Sequence, residues 1–206
     1  MTDNELRPSA NVLGLAIDAI DMEGAIRQIS GMLQTTRKGY ICCVSVHGVM
    51  EARRRPEFAS VCANSAMMVP DGMPLVWMGH AQGHAAMRAV TGPDLMLELF
   101  AREQFAQTTH FFYGGVEGVA EELRARFQQR FPGARIVGTY TPPFRELSAE
   151  EERYLIATVQ ALKPDIVWVG LGCPKQEAFM ARYLPLLDTK LMFGVGAAFD
   201  YHTGRI

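Results

Sequence analysis

A few short stretches carry the residue types that could do chemistry. In AMMVPDGMPLVW, Asp71 stands between Pro70 and Gly72 and between two apolar runs. Pro-Asp-Gly is ordinary turn chemistry: proline fixes φ, aspartate bonds locally and glycine takes positive φ. Held in a cleft within reach of a hydroxyl, the same carboxylate is a general base. The triplet leaves both readings open. Ser45 and His47, in SVHG upstream, are polar groups able to line the same crevice. A Ser/His/Asp nucleophile set is arithmetically available, but Ser45 lacks the GxSxG elbow that exposes such a serine.

Tyr113-Gly114-Gly115-Val116-Glu117-Gly118 joins an expected strand to an expected helix. Backbone N–H groups at such a junction favour phosphate, so Gly114 and Gly115 are candidate anion contacts. The stretch matches GxGxxG only loosely and lacks the GK[ST] ending of a P-loop. A plain tight turn explains the glycines equally. In GCPKQE, Lys175 could neutralise a phosphate, Gln176 could bond a sugar hydroxyl or base edge, and Glu177 suits the start of a helix. A capped surface helix start is the alternative. Asp200, in FDYHTG, either accepts hydrogen bonds from a ribose or base, or caps a helix. His80, His84 and Asp71 match no familiar metal-ligand spacing, and no metal is expected.

Such groups need elements to hold them. NVLGLAID reads as a strand, and MEGAIRQISGML repeats apolar residues at helical spacing. YICCVSV is rich in β-formers, and the helical stretch after it is broken or restarted by Pro56. SAMMV, THFFYGG, ARIVGTY, KPDIVWVGLG and KLMFGVGAA read as further strands. Helices are expected in PDLMLELFAREQF, VEGVAEELRARFQQRF and PKQEAFMARYL. Ser148 begins SAEE, a capping box with Glu151. MPLVWM after PDG is expected to be a core helix, with a subunit contact as the alternative. Strands that are apolar throughout, alternating with helices, predict an α/β, Rossmann-like fold whose largely parallel sheet carries helices on both faces. Ligands then bind beyond the carboxyl ends of the strands. The polar and glycine-rich pieces fall there: SVHG, PDG, YGGVEG, GLGCPKQE and GVGAAFDYHTG each follow a strand.

The bulk numbers narrow the class. The 206 residues suffice for one domain with a single buried core, here 1–206. Nearly half are apolar, and the net charge of −2 gives no reason to expect nucleic acid. The run Arg53-Arg54-Arg55 reads as a solvated helix face. Cys42, Cys43, Cys62 and Cys173 show no zinc spacing. The opening MTDNELRPSA has no apolar signal core, and no run reaches the roughly 18 apolar residues of a membrane span. The expectation is a reduced, cytoplasmic protein.

Taken in order, SVHGVMEARRRPEF, ANSAMMVPDGMPLVW, RAVTGPDLM, YGGVEGVAEEL, GLGCPKQE and GVGAAFDYHTG resemble the WecG/TagA/CpsF glycosyltransferases, from about Asn11 to the end. The resemblance implies a bacterial, inverting, metal-independent enzyme of surface polysaccharide synthesis, covering teichoic acid linkage units, capsule and exopolysaccharide. It implies transfer of a hexose or N-acetylhexosamine from a UDP-sugar to an undecaprenyl-type lipid diphosphate-linked sugar. It places the enzyme at the cytoplasmic membrane face and leaves a homo-oligomer open. By resemblance, Asp71 is the general base and Ser45 stands at a position usually threonine. His47 stands where asparagine is usual, which leaves the donor's identity open. Arg88 is expected near the acceptor or the diphosphate, and Gln176 and Asp200 near the donor. Arg88, Lys175 and the Gly114-Gly115 turn are the candidates for stabilising the departing diphosphate. The family's basic, aromatic tail does not follow Gly204-Arg205-Ile206, so weak activity and weak membrane association are expected of these 206 residues. The competing readings are a Rossmann-like module holding NAD, which YGGVEG supports weakly, and an inactive assembly protein.

Overall fold

The computed structural model describes residues 7–206, so most of the polar opening examined for a secretory signal lies outside the described residues. The first departure from expectation comes at once. NVLGLAID does not run as one strand: β1 (Ser9–Val12) and β2 (Leu15–Asp18) form an antiparallel hairpin. Leu13 and Gly14 between them take φ of 52° and 99°, and the Asn11 side chain accepts the Gly14 N–H at 2.9 Å. An Asx bond plus two left-handed residues turns the chain without an Asn-Gly or Asp-Gly signal.

The main sheet is built from β3 (Gly39–Val44), β4 (Met67–Pro70), β5 (Thr109–Gly114), β6 (Arg135–Tyr140), β7 (Ile166–Gly170) and β8 (Leu191–Gly194). Its order is β4-β3-β8-β7-β5-β6, and every neighbouring pair is parallel. Successive side chains on a strand point to opposite faces, so a run apolar throughout requires cover on both. Ile41 and Cys43 meet a core made by α1 (Met22–Leu33), α5 (Gly92–Ala101), α6 (Val119–Arg130) and α9 (Ala198–Thr203). Tyr40, Cys42 and Val44 meet the opposite core, made by α2 (Val46–Arg54), α3 (Pro56–Ala63), α7 (Ala149–Leu162) and α8 (Lys175–Tyr183). The hairpin packs on this second side. The Rossmann-like expectation therefore holds in its essentials. Each large apolar side chain buried here, Trp168, Phe111 and Phe193 among them, contributes about 1.5–3 kcal/mol.

Local sequence sets the ends of these elements. Pro56 opens α3 and separates it from α2. Ser148 and Glu151 form a reciprocal capping box at the start of α7, as their spacing indicates. The expected core helix after PDG is only half a core helix. In α4 (Met73–Ala81), Leu75, Val76 and Gly79 are buried, while Met73, Trp77 and Met78 stand exposed. No helix among the described residues is long and apolar enough to cross a membrane.

Candidate active site

With all strands of the main sheet parallel, their carboxyl ends share one edge. β3 feeds α2 on one face, while its neighbour β8 feeds α9 on the other, so the loops part between them and leave a crevice. An open cleft of about 600 Å³ lies there. Its walls come from four strand ends: Cys43 within the last residues of β3 and Ser45 after it, Asp71 after β4, Gly172, Cys173 and Gln176 after β7, and Val195 to Ala198 after β8. Thr91, Asp94 and Tyr201 close its sides.

Asp71 is fixed from two directions. Its own N–H donates to the Val44 carbonyl at 2.8 Å, tying the turn to β3. Its carboxylate accepts the Gly92 N–H. The segment before α5 is tied to the same turn, since Val90 N–H donates to the Pro70 carbonyl at 2.8 Å. Gly92 has to be glycine for a separate reason: a Cβ there would stand 2.8 Å from the Val195 carbonyl. Burial raises the Asp71 carboxyl above its usual range, the Gly92 bond partly offsets this, and the nearby charge of Asp94 raises it further. A carboxylate shifted this way is a stronger base than a solvated one.

Ser45 is the residue before α2, with an extended backbone, and its hydroxyl does not cap the helix. The first N–H groups of α2, beside the cleft residues Ser45 and His47, are thus without a side-chain cap from Ser45. His47, in the first turn of α2, is exposed and lines the cleft.

Gln176 is a buried connector at the cleft floor, 2% exposed. Its Oε1 accepts the Gly196 N–H at 2.9 Å, and its Nε2 donates to Glu177 Oε1 at 3.0 Å. The amide thereby ties the start of α8 to the loop after β8. Glu177 is 3% exposed, and its other oxygen, Oε2, has no hydrogen-bond partner among the described residues. Burial raises its carboxyl, an effect that Gln176, Cys173 and the charge of His47 only partly offset. All four cysteines feel this carboxylate. With burial as the larger cause, it pushes Cys62 and Cys173 up to about 12. Such thiols stay protonated near neutral pH and make poor nucleophiles.

The cleft thus gathers Asp71, Ser45, His47 and Gln176 from the sequence candidates. The others lie outside its lining. Arg88 is exposed, and its Nη1 donates to the carbonyls of Ala85 and Met87 at 2.7 and 2.8 Å and contacts His80 Nε2 at 3.3 Å. Lys175 begins α8 on the exposed side, and Asp200 precedes the cleft residue Tyr201 on α9. At the Gly114-Gly115 turn, Gly115 N–H donates to the Gly170 carbonyl at 3.0 Å, and a Cβ on Gly114 would stand 2.4 Å from that same oxygen. Gly114 serves a close approach of β5 to β7, and Gly115 a close approach to Val119 of α6. Among the described residues no lysine or arginine lines the cleft, whereas two carboxylates, Asp71 and Asp94, do.

Sequence reasoning passed over Cys43, Thr91, Asp94, Cys173 and Tyr201. Thr91 and Asp94 carried a signal: the threonine side chain accepts the Asp94 N–H at 3.2 Å, a T-x-x-D helix cap at the start of α5.

Residues 10–206 match the model of a family described as glycosyl transferase WecG/TagA/CpsF. Two curated relatives are both named N-acetylglucosaminyldiphosphoundecaprenol N-acetyl-beta-D-mannosaminyltransferase. The one from Bacillus spizizenii is 28% identical over 156 residues, covering 76% of this chain and 59% of the relative. The one from Bacillus subtilis is 26% identical over 151 residues, covering 73% of this chain and 57% of the relative. The match therefore spans less than two thirds of either relative's length.

Proposed function

We propose, on the premise that this chain belongs to the WecG/TagA/CpsF family of glycosyl transferases, that it moves a hexose or N-acetylhexosamine from a UDP-sugar onto a lipid diphosphate-linked sugar. The relatives' names supply the acceptor class, a diphosphoundecaprenol carrying N-acetylglucosamine. The observation that carries the mechanism is Asp71: a half-buried carboxylate with a raised pKa, held by the Gly92 N–H at a cleft formed by strand ends.

In the proposed step, an acceptor hydroxyl gives its proton to Asp71 as its oxygen attacks the anomeric carbon. The bond from that carbon to the donor's diphosphate oxygen breaks on the opposite face, and UDP leaves with the electron pair. In-line attack of this kind inverts the anomeric centre. Ser45 and His47 are suited to orient hydroxyls, and the amide of Gln176 to hold the Gly196 loop against the donor. The negative charge growing on the diphosphate needs oriented donors. The uncapped first turn of α2 offers them, with the positive end of its dipole. No metal is required in this scheme.

The test is Asp71→Asn, which keeps size and hydrogen-bonding capacity but removes the base. Transfer is expected to fall by about 10²- to 10⁴-fold, the usual worth of a general base, with UDP affinity retained. Undiminished turnover would overturn the assignment.

A further inference from the structure

The sheet has a second rim, at the amino ends of its strands and away from the Asp71 cleft. A cavity of about 250 Å³ lies there, between the carboxyl ends of α5 and α6 and the starts of β5 and β6. A dry cavity of about 150 Å³ is enough to hold a benzene ring. The walls are largely aromatic and apolar, with Phe100, Phe105 and Phe131 among them. Phe100 stacks on the His110 imidazole at 4.0 Å between centroids, and Phe131 lies 6.0 Å from Phe100.

His110 is 2% exposed, yet it lines this cavity. The Trp168 indole N–H, which can only donate, bonds to His110 Nδ1 at 3.1 Å. Nδ1 therefore carries no proton. Burial pushes the imidazole down to about 3, so the ring is neutral near pH 7 and its single proton sits on Nε2. That N–H has no hydrogen-bond partner among the described residues. Buried N–H groups are ordinarily bonded, so a bare one on a cavity wall calls for an acceptor from outside. The carboxyl ends of α5 and α6 disfavour a full negative charge inside, so that acceptor is a neutral one.

The outer lining offers a different contact. Arg130 and Arg135 are both exposed, and neither meets a carboxylate among the described residues. Arg130 lies over the Phe131 ring at 5.4 Å, and Arg135 donates to the carbonyl and side-chain oxygens of Gln107. Arg102 is already paired with Glu23 and Glu98, and Glu103 is the one carboxylate of the lining. Two open guanidinium forks beside an aromatic slot suit a carboxylate attached to a flat ring. We propose that this cavity is a second small-molecule site, which takes a monocyclic aromatic acid. The ring packs among Phe100 and Phe131, a neutral acceptor such as a hydroxyl meets the His110 Nε2–H, and the carboxylate meets Arg130 and Arg135. The site shares no lining residue with the Asp71 cleft and rests on no part of the transfer reading.

The two tryptophans make the test direct. Nitrogen-15 labelling gives each one indole N–H signal, Trp168 buried against His110 and Trp77 exposed. Titration with 4-hydroxybenzoate is expected to shift the Trp168 signal and to leave that of Trp77 in place. Half-saturation is expected at or below about 1 mM, the scale for a ligand of this size. Phenol lacks the carboxylate and benzoate lacks the hydroxyl, so each is expected to bind at least about tenfold more weakly. The double variant Arg130→Gln, Arg135→Gln alters two exposed side chains and is expected to bind 4-hydroxybenzoate at least about tenfold more weakly. Absence of a Trp168 shift up to about 10 mM overturns the proposal. So does phenol or benzoate binding as tightly as 4-hydroxybenzoate, undiminished binding by the double variant, or a shift of Trp77 alone, which places the ligand elsewhere. The readout involves no sugar transfer, so failure here leaves the transfer reading untouched.

Discussion

Asp71 is a base whose strength is set by three neighbours, and the balance among them is measurable. Burial raises its carboxyl first, the Gly92 N–H lowers it, and Asp94 raises it again. A general base works only when ionised, so activity is expected to fall as pH drops through this raised pKa. Asp94→Asn removes the like charge and is expected to move that acid limb to lower pH; a limb that stays put or moves upward would show that Asp94 does not act on Asp71. Glu177 permits a second test. Its carboxyl is also raised by burial, so in the folded state it holds its proton to higher pH than in the unfolded state. That contribution favours folding at low pH and is lost as pH rises through the raised value. Glu177→Gln removes the charge and can still accept from Gln176 Nε2. At about pH 8 its stability should equal or exceed the parent's, with a flatter pH dependence. Glu177→Ala leaves that amide without its acceptor, at a cost of about 1–3 kcal/mol and a loosened Gly196 loop. A Gln variant as unstable as the Ala variant in urea would refute this account. The sequence revealed the candidate residues of this site better than their directions. Asp71, Ser45, His47 and Gln176 do converge, but spacing cannot tell which side of a strand-end loop Arg88 or Lys175 faces, and both lie outside the cleft lining.

At the level of elements, the parallel sheet was legible because its strands are apolar at every position, a pattern that only two-sided burial explains. The hairpin was not legible, because Leu13 is a residue that rarely takes positive φ and its turn depends on the bond from Asn11. The Gly114-Gly115 turn shows the opposite difficulty: a glycine-rich junction that reads as a phosphate cradle also makes a packing contact that spacing does not reveal. Gly114 has φ of 130°, and a Cβ would strike the Gly170 carbonyl, so Gly114→Ala combines backbone strain with overpacking. The expected loss is about 2–4 kcal/mol, read from the urea midpoint. Gly118 has φ of 83° but open space around it, and Gly118→Ala should cost only about 1 kcal/mol from conformation alone. Equal losses at the two positions would mean that the approach of β5 to β7 is not what requires Gly114.

For the molecule as a whole, a sheet covered on both faces leaves only its rim for polar chemistry, and here the cleft in that rim holds carboxylates. Asp71 and Asp94 line a cleft in which, among the described residues, no lysine or arginine stands. A nucleoside diphosphate entering it meets repulsion from the carboxylates and attraction from helix N-termini, each equivalent to roughly half a positive charge. Acidic lining could equally attract a divalent cation that then bridges to the diphosphate. Calorimetric titration with UDP, with and without EDTA, separates the two. Heat of binding unchanged by EDTA supports transfer without a metal, and heat abolished by EDTA overturns that part of the proposal. NAD serves as the contrasting ligand. At YGGVEG, the junction that suggested it, the Gly115 N–H is bonded to Gly170, which leaves that turn one donor fewer for a pyrophosphate. On the proposed reading UDP binds and NAD does not. Binding of NAD in place of UDP would leave the fold as described and replace the donor class.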